Sequence, residues 1–390
     1  MSSSRSADVH RSEPALSPAA TRVLRQLVLH GDATRTGLAH DTGLTAGAIT
    51  RAVRPLLEAG LLDETGERVP AEGALGRPAT TVTLRALAHQ VVGVKLTADR
   101  LFGVVADLRC GVLDESSVPV DDPRPEAVVE RVAELVAGLR AGRPEVGGVG
   151  LATAGDVDAG HVAYSPFLGW RDVPLRDQVA ARTGLPTTVE NDVRALLTGE
   201  RWYGVGRGLS SLALVTVGAG VGSALLVEGH VVRGHSGVAG EVGHVLVDPD
   251  GPPCHCGNRG CVEAIAGSRA ILDRAAAAGL PATTLDEVAR LARAGQPEAE
   301  RVLAEAGRAV GTGIATVANL LGPEHVLITG EAVGTDYDVM EPHVREAFER
   351  HAFGSAARTA LELRPLRFVD WARGAAACAV EDFVTRYGRS

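Results

Sequence analysis

The sequence predicts an α/β protein in which an N-terminal winged helix-turn-helix precedes a larger, two-lobed α/β domain. Three observations point there. Between residues 18 and 87, apolar residues recur at helical spacing in three short runs and then alternate as in two strands. Beyond Leu87, short apolar strands alternate with helices, the pattern of a layered α/β domain. A Gly-rich strand pair at Ser211 to Val227 repeats the hairpin-like pair at 90–107 and indicates a second, duplicated lobe. A chain of 390 residues, 45% hydrophobic, is long enough for two or three cored domains. With only 3% aromatic residues, those cores must be built mainly from Ala, Val and Leu.

Residues 1–17, rich in Ser, Pro and charge, read as a disordered tail. From Pro18, the positions Val23, Leu24, Leu27 and Val28 define a first helix that stops at His30-Gly31. A second runs from Arg35 to Asp41, and Thr42-Gly43-Leu44 turns the chain. Thr45 caps a third helix through Ile49, Val53, Leu56 and Leu57 to Ala59-Gly60. Pro55 inside it removes the amide that would bond the Arg51 carbonyl, a point where the helix can bend. Leu61 to Glu64 and Thr80 to Leu84 read as the wing strands, with the Gly/Pro-rich segment 65–79 between them. This winged helix-turn-helix occupies 18–87.

The second domain occupies 88–390. Strands are expected at Gln90 to Leu96, Leu101 to Asp107, Val146 to Ala152 and His325 to Thr329. Helices are expected at Pro125 to Ala141, in the Ala-rich region 268–320, and from Gly374 to Tyr387. The first lobe is taken as about 88–190 with the C-terminal helix 374–390, the second as about 191–373.

The net charge of −9 excludes a coat of non-specific nucleic-acid affinity over the whole molecule. Residues 1–62, however, hold seven arginines against five acids, so any double-stranded DNA contact belongs at this end. In a helix-turn-helix the second helix of the motif enters the major groove with its first turns. Those positions are Thr45, Ala46, Thr50, Arg51 and Arg54, and Arg77 in the Gly-Arg-Pro wing can reach a minor groove. One such helix reads few base pairs, so a homodimer or a dimer of dimers on a palindrome is expected.

The polar N-terminus lacks the apolar segment of a signal peptide, which leads to the expectation of a cytoplasmic protein. The uncharged stretch Gly208 to Val227 is long enough to span a bilayer, but its four glycines and four Ser/Thr residues argue against a membrane span.

Cys254, Cys256 and Cys261 fall within eight residues, which in a reducing compartment reads as metal ligation. With His244 upstream they form the Cys3His set of structural zinc, one ion per chain, while Gly257 and Gly260 let the loop fold around it. His255 is the rival fourth ligand. Cys110 and Cys378 read as small buried hydrophobes.

The segment Gly240-Glu-Val-Gly-His244 followed by Cys-His-Cys-Gly-Asn-Arg-Gly-Cys-Val-Glu263 resembles the signature of the ROK family of repressors, open reading frames and sugar kinases. Further matches are Glu190-Asn-Asp192, Gly218-Ala-Gly-Val-Gly222, Ser165-Pro-Phe-Leu-Gly-Trp170 and Gly322-Pro-Glu-His-Val-Leu-Ile-Thr-Gly330, and the Gly-Arg-Pro wing is that of the family's repressor branch. The resemblance implies an actin-like, hexokinase-like (ribonuclease H-like) fold and a sugar held by Asn191, Asp192, Glu241, His244 and Glu263. Carboxylates suit vicinal hydroxyls as acceptors, and a metal-bound imidazole offers its other nitrogen as a donor.

Family kinases place an Asp-x-Gly-Gly-Thr phosphate loop after the first lobe's opening strand, where this chain has Lys95-Leu-Thr-Ala-Asp99. Its only lysine thus replaces the metal-coordinating acid. Gly218 to Gly222 lacks the family's usual Thr, and Glu331 replaces the second glycine after Gly330. Asp192 survives as a vestigial base without a phosphoryl donor to serve. The resemblance therefore implies a regulator, most simply a repressor of carbohydrate genes that senses a sugar or sugar phosphate. The alternative is an ATP-dependent sugar kinase fused to a DNA-binding domain.

Overall fold

The computed structural model describes residues 17–69, 79–334 and 337–386. The tail at 1–16 and the wing arginine Arg77 lie outside the described residues. Ser17 opens the first helix, Pro18–His30, by accepting the Ala20 amide on its Oγ at 3.3 Å. Arg35–Thr42 and Ala46–Glu58 follow, separated by Gly43 at a left-handed φ of 66° that a side chain would disfavour. The third helix continues through Pro55. Strands Leu62–Val69 and Ala79–Leu84 pair antiparallel, and Ala33–Thr34 adds a short third strand. The first wing strand thus runs on to Val69, beyond the expected Glu64.

Beyond the winged helix, two five-stranded sheets share one topology, and a small three-stranded antiparallel sheet, Asp156–Asp158, His161–Ser165 and Trp170–Val173, is added to the first lobe. In the first, Gln90–Leu96, Arg100–Asp107 and Val112–Pro119 make an antiparallel meander. Val146–Thr153 and then Thr187–Asn191 extend it in parallel on the other side. In the second, Leu212–Val217, Val221–Val227 and His230–Val231 form the meander, with His325–Thr329 and Ala360–Leu363 parallel beyond it. The duplicated lobes are therefore real. The stretch 208–227 supplies two strands of the second sheet, and among the described residues no helix is long and apolar enough to cross a membrane.

The C-terminal helix spans Phe368–Arg386 and begins before the expected Gly374. Gly374 is not a start signal but a contact: a Cβ there would lie 2.9 Å from the backbone of Ala195. Likewise a Cβ on Gly150 would lie 1.9 Å from the Ala375 carbonyl oxygen. Small residues let this helix lie directly on the first sheet and on the helix Asp192–Tyr203, which is how a core poor in aromatics reaches close packing. The winged helix is not a separate body. Leu24, Leu27, Ile49 and Leu84 share one buried cluster with Val104, Leu108, Trp202 and Phe383.

His89 sits at this seam, buried, its ring stacked on Phe383 at 3.7 Å. Burial, aided by nearby Arg386, lowers its pKa from 6.5 to about 4. Between those values the unfolded chain takes up a proton that the folded chain refuses, so stability falls as pH drops through the window. The loss is expected to reach up to about 3 kcal/mol. Denaturant midpoints at pH 7 and pH 4.5 should separate less in His89→Phe than in the parent, and equal separations would exclude His89 as the cause.

Candidate functional site

A cleft of ≈ 710 Å³ lies between the lobes, and Asn191, Asp192, Glu241, His244 and Glu263 all line it. Asn191 ends the strand Thr187–Asn191 and caps the helix Asp192–Tyr203. Its Oδ1 accepts from the Val193 and Arg194 amides at 3.0 and 3.2 Å, and its Nδ2 donates to the Gly155 carbonyl at 3.0 Å. These bonds set Asn191 beside Asp192 and the Gly155 turn, and the second Nδ2 hydrogen remains a donor for a ligand in the cleft. Glu190 points away from the cleft into a buried pair with Arg194 at 2.8 Å. Arg194 also donates to the carbonyls of Val157, at 2.6 Å, and Gly237. This clamp ties the strand Asp156–Asp158 to the loop at Gly237. The family match covers Glu190, whereas Arg194 fits no motif and was not singled out.

Glu263 accepts the Val221 amide on Oε2 at 2.9 Å, and its Oε1 meets His255 Nε2 at 2.6 Å. Burial raises the pKa of Glu241, opposed by His244 and Arg194. Asp156 is a site residue the sequence reading missed. It lines the cleft, burial raises its pKa, and its Oδ1 is buried with no partner among the described residues. It sits on a three-residue strand, Asp156–Asp158, outside any motif. Such a wall of acceptors suits a hydroxyl-rich ligand.

The sulfurs of Cys254, Cys256 and Cys261 and a ring nitrogen of His244 all lie within 4.8 Å of one another. Cys256 and Cys261 are 3.8 Å apart, and His244 Nδ1 is 3.6 Å from Cys254. Metal–sulfur bonds of about 2.3 Å and metal–nitrogen bonds of about 2.0 Å at tetrahedral angles require separations close to these. The cluster can hold a metal ion. Gly257 and Gly260, at φ of 95° and 62°, form the bend, and Gly260 packs against the Asp248 carbonyl where a Cβ would not fit. His244, Cys254, His255 and Glu263 form a second group of comparable spread. Ligation through Nδ1 would leave His244 Nε2 as a donor toward the cleft.

On the opposite side of the cleft, Lys95 makes a buried ion pair with Asp192, and its ammonium lies 4.8 Å from the Trp371 ring centroid. Glu331 lies over Gly218, where a Cβ would come within 2.0 Å of its Oε2. Burial raises the Glu331 pKa, offset in part by Lys95. The carboxylate that would act as base is thus held by the lysine, and an acid occupies the glycine loop.

On the winged helix, Thr45, Ala46, Thr50, Arg51 and Arg54 are all exposed along one face, while Ile49, Ala52, Val53 and Leu56 face the core. Thr45 is also the helix cap, accepting the Ala48 amide at 3.2 Å. Arg54 pairs with Glu58 at 2.7 Å, both exposed.

Comparison with known proteins follows the same division. The chain is 27% identical over 354 residues to the DNA-binding transcriptional dual regulator NagC of Escherichia coli, covering 87% of this chain and 86% of that one. It is 33% identical over 282 residues to a glucokinase of Streptomyces coelicolor, covering 67% of this chain and 88% of the kinase. A solved ROK family transcriptional regulator, a homologue of the E. coli MLC protein, superposes with a TM-score of 0.82 at 27% identity, covering 95% and 96% of the two chains. The regulators cover 87% and 95% of the chain, while the kinase leaves a third of it unmatched. The ROK family model matches residues 91–381, and the chain belongs to the ROK family.

Proposed function

We propose that this protein is a transcriptional repressor of carbohydrate genes that binds operator DNA through its winged helix and releases it when a sugar or sugar phosphate occupies the cleft. The observation that carries this reading is an exposed recognition face fused, through one shared core, to a sugar-kinase-like cleft. Asp192, Glu241 and Glu263, with Asp156 added, supply acceptors for hydroxyls, and His244 supplies a donor. Kinase activity is not expected, since Lys95 holds Asp192 and Glu331 sets negative charge against the glycine loop. The decisive experiment measures binding to the chain's own promoter DNA with and without candidate sugars, alongside ATP turnover on those sugars. Operator release without turnover supports the repressor, and turnover at enzymatic rates would support the fused kinase instead.

A ligand favours one arrangement of the lobes only by its differential affinity for it. The helix Asp192–Tyr203 starts in the cleft and ends at Trp202 in the core that holds the winged helix. Lobe closure transmitted along it would change the separation of recognition helices in a homodimer or dimer of dimers bound to a palindrome.

Zinc is the ion the Cys3His set fits, at one per chain, and it would act structurally by holding the 241–263 segment and fixing the His244 tautomer. Metal analysis of the purified protein should give close to one zinc per chain. Cys256→Ala is expected to lower the metal content and the sugar response together. Full sugar affinity in the metal-free protein would remove the structural role.

Arg51→Ala is expected to weaken operator binding by more than about 1 kcal/mol, the low end for a good base contact. Arg54, already paired with Glu58, should matter less. Anisotropy titrations at physiological salt test both, and an Arg51→Ala protein that binds like the parent places the contact elsewhere.

A further inference from the structure

The cleft is larger and more aromatic than one sugar ring requires. At ≈ 710 Å³ it lies in the range of about 300–1,000 Å³ that houses drug-sized ligands, whereas a hexose has twelve heavy atoms. Five of the chain's thirteen aromatic residues line it, in a protein only 3% aromatic. Two of these, Phe102 and Phe368, stack at 4.6 Å and 10°, forming one wall. That wall stands beside Lys95. Phe102 pairs in register with Lys95, and Trp371, one helical turn beyond Phe368, lies against the lysine ammonium. Phe368 is 38% exposed, so the wall keeps an open apolar face.

Charge decides what this half can accept. Among the described residues lining the cleft, six are acids and three are Lys or Arg. Two of those three bases are already spent, Lys95 on Asp192 and Arg194 on Glu190. The third, the partly exposed Arg100, donates to the Ser117 hydroxyl at 3.1 Å, so a phosphate here would meet Glu331 with Arg100 as the one base among the described lining residues not in an ion pair. A second sugar ring, by contrast, has no charge to desolvate, and its C–H face complements the negative face of an aromatic ring.

We propose that the effector is an uncharged two-ring glycoside, a disaccharide or its equivalent. One ring sits among Asp156, Glu241, His244 and Glu263, and the other lies on the Phe102–Phe368 wall. This rests on the sugar-sensing reading above and names its ligand class.

The test is calorimetric titration of the full chain with cellobiose, maltose, lactose, xylobiose and diacetylchitobiose, with their constituent monosaccharides, with the 6-phosphates of the hexoses among them, and with ATP. One disaccharide is expected to bind at least tenfold more tightly than its monosaccharide. Phe368→Ala should bring that affinity down to the monosaccharide level and leave monosaccharide binding unchanged, and Phe102→Leu provides the same readout with less loss of packing. If a monosaccharide or its phosphate binds as tightly as any disaccharide, or Phe368→Ala changes nothing, the second-ring site is wrong and the sugar sensor stands. Tight ATP binding lost in Phe368→Ala would assign the wall to a nucleotide. If no sugar in the panel binds, both the site and the sensor fall.

Discussion

Asp192→Asn is expected to lower the stability of the fold by about 3–5 kcal/mol, because it strands a buried cation. Lys95 and Asp192 have side chains only 6% and 11% exposed, and each is the other's counter-charge. Asparagine preserves shape but leaves the ammonium in a site lined by Trp371 with no full negative charge in contact. Removing both charges, as in Lys95→Met with Asp192→Asn, should restore most of the loss, since a well-packed neutral pair is often as stable as a buried ionic one. Urea midpoints of the parent, the two single variants and the double variant form the cycle that measures it. Parent-like stability for Asp192→Asn alone would show that the pair is not formed in solution. The consequence reaches function: Asp192→Asn cannot serve as a clean test of the sensor, because the fold suffers with the site. Glu241→Gln, at a carboxyl that forms no ion pair among the described residues, is the better probe. It should blunt the sugar response and leave ligand-free operator binding intact.

Trp202→Ala is expected to cost a similar amount, about 3–5 kcal/mol, through the cavity it opens in the core. Its second effect is the informative one. Trp202 lies near the far end of the helix Asp192–Tyr203 from the cleft, about 15 Å along the axis from Asp192. Arg25 of the first helix, Pro18–His30, lies 5.9 Å from its ring centroid, and the neighbouring Tyr203 hydroxyl donates to the Leu108 carbonyl at 3.0 Å. The sugar should change operator affinity by roughly 5- to 150-fold in the parent, the usual range of coupling free energies. In Trp202→Ala that ratio should approach one while the sugar still binds. Trp202→Phe keeps an aromatic in the core and should show a smaller version of both effects. A variant that binds sugar and releases operator as the parent does would mean that the signal reaches the winged helix by another route.

The sequence by itself determined the elements whose signals are local. Helical spacing gave the winged-helix helices to within about a residue, since each buries one apolar stripe and is bounded by Thr45, Gly43 or Gly31. Runs of Val and Leu placed Gln90–Leu96 and His325–Thr329, which are buried along their length. Cysteine spacing gave the Cys/His cluster that can hold a metal, because side chains brought together by one tight loop are close in sequence as well as in space. The edge strand Val112–Pro119 left no such trace, being polar and almost wholly exposed, and neither did the short sheet built on Asp156–Asp158, His161–Ser165 and Trp170–Val173. Only the tertiary structure decided what depends on residues far apart in the chain. Lys95 and Asp192 are 97 positions apart, Phe102 and Phe368 many more, and no periodicity links them. Whether Gly374 begins a helix or lets one approach another is likewise a property of the neighbour it meets. The shared core of winged helix and first lobe belongs to the same class, because burial of a face shows in sequence but the identity of what covers it does not.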